Sequence, residues 1–150
     1  MREHLPAAQR FATRLTGDPA SAEDLMQDAL RRAHRGWASF RGDASPRTWL
    51  FQIVLNAFRD HLRSREARSG QGAQDRTAAT APVAGDFEDP AAPNPARQLE
   101  GKELSEIVAH EVSNLPPRQR EVLLLIAYEH VGTAEAAAML GMTEQNVRTT

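Results

Sequence analysis

Leu15-Thr16-Gly17-Asp18-Pro19-Ala20-Ser21-Ala22-Glu23-Asp24-Leu25-Met26-Gln27-Asp28-Ala29 reads as the close of one helix and the opening of the next. Gly17 supplies the left-handed residue that ends a helix beginning near Pro6. Asp18 is a good N-cap, with Pro19 at the first helical position, where its missing N–H removes no helical hydrogen bond; Ser21 with Asp24 offers an alternative cap one turn later. Beyond it, Ala22, Leu25, Met26, Ala29, Leu30, Ala33 and Trp37 recur at steps of three and four, the pattern of a buried helical stripe.

The same reading extends outward in both directions and predicts an all-α chain. A third helix starts where Ser45 can cap and Pro46 can fill the first turn. It runs through Trp49, Leu50, Ile53, Val54, Ala57, Phe58 and Leu62 to an Arg-rich end near Arg65, where cations suit the negative helix terminus. Residues 1–68 therefore form a three-helix domain. From 69 to 96 the periodicity vanishes and 7 of the 18 Gly and Pro residues gather, which predicts a flexible linker between two units. Helical signals resume with Asn94 and Pro95 as cap and first turn, then Leu99, Leu104, Ile107, Val108 and Val112. Leu115 and two prolines break that helix, and Pro117 restarts another with Val122, Leu123, Leu125 and Ile126 on its apolar face. The second domain, 97–150, ends as a helix-turn-helix: Thr133 caps a helix through residue 140, Gly141 closes it, and Thr143 caps a following helix from Glu144.

Composition narrows the function. The chain has 150 residues, 41% hydrophobic and 25% charged, with a formal net charge of −2. Residues 1–68 carry 12 Arg/Lys against 8 Asp/Glu, whereas 69–150 carry 6 against 12. An excess this modest binds nucleic acid weakly by counterion release alone, so a DNA-directed role calls for a larger DNA-binding partner. No apolar run approaches the roughly 20 residues of a membrane helix, and no signal-peptide core follows the first residues, which predicts a cytoplasmic protein without membrane insertion. With no cysteine and with histidines scattered at 4, 34, 61, 110 and 130, neither a metal nor another cofactor is expected.

Three polar faces stand out. Asp24, Gln27 and Asp28 lie at i, i+3 and i+4, opposite the apolar stripe; taken alone this is an ordinary solvated face, and nothing nearby offers the nucleophile or pocket that acid–base catalysis needs. Asn56, Arg59 and Arg63 share one side of the Trp49 helix, joining an amide that can read a base edge to cations that can hold phosphates; an exposed polar stripe on a core helix has the same spacing. Arg65 and Arg68 extend that basic run, and Trp49 itself is expected in the core. The third face is the start of the last helix, where Gln145, Asn146 and Arg148 suit base edges in a major groove, although a plain helical hairpin shows similar caps.

The Asp24-Leu25-Met26-Gln27-Asp28 motif is followed by Ser39-Phe40-Arg41-Gly42 and Pro46-Arg47-Thr48-Trp49-Leu50-Phe51. A second block runs Leu115-Pro116-Pro117-Arg118-Gln119-Arg120-Glu121-Val122, then Ala137 and Met139 through Arg148. In this order the two blocks resemble the conserved domains of bacterial sigma factors, in particular the small extracytoplasmic-function (ECF) group. The resemblance implies a transcription initiation factor with no catalytic activity. Asp24, Gln27 and Asp28 would dock on the clamp helices of the largest subunit of core RNA polymerase. Asn56 and the loop Phe40, Arg41, Gly42, Asp43, Ala44 would pocket a base flipped from the minus-ten element, with Arg59 and Arg63 on the strand. Thr143, Glu144, Gln145, Asn146, Arg148 and Thr149 would reach the minus-thirty-five element. It further implies an anti-sigma factor wedged between the domains. Family members usually continue the reader helix for two Arg-rich turns beyond the position of Thr150, so the resemblance also implies a C-terminally truncated second domain. The competing reading is a sigma-like decoy that occupies an anti-sigma factor without touching DNA. Such regulators usually carry a receiver domain, which these residues lack, and the nearly complete docking motif favours a working factor. No nucleophile–base, phosphate-loop or metal signature supports an enzyme.

Overall fold

The computed structural model describes residues 2–70 and 95–150, with side chains from 103 onward in the second stretch. Helix α1, Leu5–Thr16, stops at Gly17, whose φ of 71° turns the chain and whose N–H donates to the Thr13 carbonyl at 2.8 Å. Helix α2, Pro19–Gly36, starts at Asp18, whose carboxylate accepts from the Ser21 N–H at 2.8 Å. Helix α3, Pro46–Arg68, is capped by Ser45, which accepts from the Thr48 N–H at 3.1 Å. The helix extends three residues past the expected end at Arg65. These three helices pack into one core, in which Phe11, Leu15, Leu25, Leu50, Phe51 and Leu55 are fully buried. Phe11 and Phe51 stack with ring centroids 5.0 Å apart. Each such side chain contributes about 1.5–3 kcal/mol of apolar burial.

Two members of the expected α2 stripe lie outside that core. Leu30 is 39% exposed and Trp37 48% exposed. Leu30 sits about 80° round the helix from the centre of the stripe, at 100° per residue. Trp37 falls beyond the end of α2, in a turn of 3-10 helix, Trp37–Ser39, where the α-helical period no longer applies.

After α4, Pro95–Asn114, the chain enters α5, Pro117–Leu123, which widens into a π-helical turn, Leu124–Tyr128. The wider turn buries Leu124 together with Leu125, and Leu124 accepts from the Glu129 N–H at 3.0 Å. Helix α6, Thr133–Leu140, is preceded by Gly132 at the cap position, so Thr133 is the first helical residue instead of the expected cap. Gly141, at φ 62°, closes α6, and the Met142 N–H donates to the Ala137 carbonyl at 2.9 Å. Helix α7, Glu144–Thr149, is capped by Thr143, which accepts from the Asn146 N–H at 3.2 Å. Val147 anchors it in the core. Among the described residues the fold is all-α; the expected linker lies mostly outside them, as does the expected cap Asn94.

The two helical groups touch. Helix α1 packs on α4, α5 and the π turn. Arg120 of α5 ties the joint together: its guanidinium donates to the carbonyls of Val112, Ser113 and Leu115 at the end of α4 and to Leu15 near the end of α1. Burial lowers the pKa of this guanidinium from its ordinary value, and the four carbonyl oxygens stand in for the water it has lost.

Candidate functional site

Helix α2 presents Asp24 and Gln27 to solvent, while Asp28 is half-buried between α2 and α3. Its carboxylate meets Arg32 at 2.9 Å and His61 at 3.3 Å; Arg32 reaches on to Asp60 at 2.6 Å, and Asp60 to Arg63 at 2.9 Å. Desolvation is the largest single influence on the Asp28 carboxyl and opposes its ionisation. Hydrogen bonding and charge from Arg32 and His61 together outweigh it and hold the pKa below the ordinary value. Asp28, the third member of the acidic face, thus favours its ionised form and also clamps α2 to α3.

The 40–45 loop leaves a cluster of three aromatic rings. Phe40 lies 5.4 Å from Trp37 and 5.0 Å from Trp49, and Trp37 meets Trp49 edge-on at 5.8 Å. Trp49 is partly buried against the core, in keeping with its expected place. Between Phe40 and the Ser45 cap, Arg41, Gly42, Asp43 and Ala44 are all exposed, and Gly42 takes φ 79°, a left-handed turn that a side chain would strain. Trp49, Gln52 and Asn56 follow one another along one side of α3, and the Gln52 amide donates to the Asn56 carbonyl oxygen at 3.2 Å. Asn56 and Arg63 are exposed.

Arg59 stands apart from them. Its Nε and one terminal nitrogen donate to the two oxygens of Glu121, each at 3.0 Å, and Arg118 adds a third hydrogen bond at 3.1 Å. Glu121 is 1% exposed. The spacing on α3 puts Arg59 with Asn56 and Arg63 but gives no sign that α5 covers its guanidinium.

On α7, Glu144, Gln145, Asn146, Arg148 and Thr149 are exposed on the side away from buried Val147. Arg148 sits 3.5 Å from Glu144, one turn back, and the Thr149 hydroxyl donates to the Gln145 carbonyl at 3.0 Å.

Five further polar residues meet across the joint. Arg47 donates to the Glu129 carboxylate at 2.8 Å and to its backbone carbonyl at 3.2 Å, and Arg14 approaches the same carboxylate at 3.8 Å. The Thr48 hydroxyl donates to Glu135 at 2.7 Å. Arg47 also covers the Phe51 ring, and Arg14 the Tyr128 ring. The only signal in the sequence is that Glu121 and Glu129 flank an apolar run; their partners lie too far along the chain for spacing rules to reach.

Residues 1–68 match the family model of Sigma-70 region 2, and residues 97–150 that of Sigma-70 region 4. The chain is 32% identical over 147 residues to the ECF RNA polymerase sigma factor SigM of Mycobacterium tuberculosis, spanning 98% of this chain and 67% of that one. It is 30% identical over 147 residues to SigL of the same organism, spanning 97% and 77%. The chain belongs to the ECF RNA polymerase sigma factors. As an ECF sigma factor it is a sigma-type transcription initiation factor. Solved structures agree: the sigma factor RpoE of Bartonella quintana, in complex with the anti-sigma factor NepR, superposes with a TM-score of 0.71 at 26% identity, over 97% of this chain and 83% of that one. CnrH, in complex with the cytosolic domain of CnrY, gives 0.58 at 28% identity, over 96% and 73%.

Proposed function

We propose that this ECF sigma factor binds core RNA polymerase through Asp24, Gln27 and Asp28 and opens the minus-ten region with the 40–45 loop, Asn56, Arg59 and Arg63. The start of α7 reads the minus-thirty-five region. The observation that carries the reading is the pairing of two surfaces on one three-helix unit: an acidic face on α2 that includes the ionised Asp28, and on α3 an exposed amide in a helix whose N-terminal end carries a glycine-turned loop and three aromatic rings. Capturing an extruded base offsets part of the few kcal/mol lost on unstacking it, so opening proceeds by binding with no bond chemistry. Residues 1–68 act as the polymerase and minus-ten unit and 97–150 as the upstream reader. The factor works in the cytoplasm; among the described residues no helix is long and apolar enough to cross a membrane.

An anti-sigma factor as a further partner is supported by the solved structure of RpoE, captured with the anti-sigma factor NepR. The decoy reading has no observation that favours it over a working factor.

Purified full chain mixed with core polymerase and a promoter library tests the proposal. The expected outcome is a specific open complex, with Asn56→Ala losing strand opening and Asp24→Ala losing polymerase association. Unchanged opening in Asn56→Ala and Arg59→Ala rejects the melting surface.

A further inference from the structure

Among the described residues the carboxylate contacts across the joint run in one direction, whereas Arg120 donates the other way, to the Leu15 carbonyl. Donors to the carboxylates come from the N-terminal unit, namely Arg59, Arg47, Arg14 and Thr48; the acceptors come from the C-terminal unit, namely Glu121, Glu129 and Glu135. Two of the three carboxylates are almost fully buried, at 1% for Glu121 and 6% for Glu129. This polarity follows the division of charge along the chain, 12 Arg/Lys against 8 Asp/Glu in residues 1–68 and 6 against 12 beyond.

A guanidinium fork fits a phosphate as it fits a carboxylate, by parallel N–H donors to two oxygens. Arg47 and Arg59 are twelve residues apart on α3, about 18 Å at 1.5 Å per residue. That length matches on the order of five nucleotides of a stacked strand. We infer that Arg14, Arg47 and Arg59 form a backbone-phosphate site for single-stranded DNA, and that Glu121, Glu129 and Glu135 occupy it in cis as phosphate substitutes. The inference rests on the assignment of the Asn56 and Arg59 face to promoter DNA and adds Arg14 and Arg47 to it. It also gives the closed arrangement a role: the C-terminal unit must leave before the strand can enter. Exchange is feasible because buried ion pairs contribute little net stability once desolvation is counted, so a phosphate can replace a carboxylate without a large loss.

The test needs no polymerase, and so separates failure of this inference from failure of the polymerase-docking proposal. Binding of the full chain to a short fluorescent oligo-dT strand is followed by anisotropy over a salt series. The triple variant Glu121→Gln, Glu129→Gln, Glu135→Gln binds about tenfold more tightly, with a log–log salt slope steeper by roughly 2, the value for three phosphate contacts on a single strand. Adding Arg47→Ala and Arg59→Ala removes the gain. An unchanged affinity in the triple variant overturns the inference. So does a gain that persists without the arginines, because net charge alone then explains it. A second arm avoids dependence on the folding of the triple variant. The chain has no cysteine, so Thr48→Cys with Glu135→Cys can be joined by a short bismaleimide. The linked protein binds the strand several-fold more weakly than the same protein unlinked; equal binding overturns the inference.

Discussion

Arg59 of α3 and Glu121 of α5, 62 residues apart in sequence, are joined by two hydrogen bonds of 3.0 Å each, and this pair couples the two helical units. Glu121 keeps Arg118 when Arg59 is removed, so the loss is smaller than for a buried charge left alone. Arg59→Ala is expected to cost about 2 kcal/mol, with a coupling energy of about 1–2 kcal/mol to Glu121→Ala. Urea denaturation of the wild type, both single variants and the double variant measures it. Strict additivity would show that the pair does not couple the units.

His130 is the one described non-glycine residue at positive φ, 53°, and it is exposed at the end of the π turn. An L-residue in that conformation costs about 1–2 kcal/mol, partly offset in a glycine variant by its greater freedom when unfolded. His130→Gly should therefore stabilise the protein by about 0.5 kcal/mol, seen as a raised Tm. A lowered Tm would mean that the side chain holds the turn in place.

Arg120 serves four carbonyls, three ending α4 and one near the end of α1. Lysine cannot reproduce the planar fork, so Arg120→Lys leaves some of these acceptors unpaired at about 1–3 kcal/mol each. Thermal or chemical unfolding of Arg120→Lys should show a loss of roughly 2–3 kcal/mol. A loss no larger than that of a surface arginine would rule out the joint-capping role.

Asp18 gives stability a pH dependence of defined sign. Hydrogen bonding from the Ser21 side chain first, then from its backbone N–H, favours the carboxylate and lowers the pKa. With the folded value depressed, the contribution is present above the unfolded value near about 3.9 and is lost as pH falls through the folded value. Asp18→Asn, which keeps a capping oxygen, should flatten this acid limb of the Tm-against-pH curve and change little at neutral pH. An identical acid limb in the variant would assign the effect to another carboxylate, such as Asp28.

The helix starts and stops were legible because they depend on neighbours in sequence. Asp18 with Pro19, Ser45 with Pro46, Gly17, Gly141 and Thr143 all act through backbone groups within a few residues. Leu30, Trp37 and Leu124 escape the ideal α-helical period because they sit at a stripe edge, in a 3-10 turn and in a π turn. The polar faces were legible as faces, since spacing puts Asp24 with Gln27 and Asn56 with Arg63. What covers Arg59 was not, because no local rule pairs it with Glu121, and the same holds for Arg47 with Glu129.

Both tryptophans of the chain, Trp37 and Trp49, belong to the ring cluster under the 40–45 loop. Intrinsic indole emission excited at long wavelength consequently reads out this one corner of the molecule. It gives a label-free optical signal for whatever enters or rearranges that loop, silent to events confined to the helix-turn-helix.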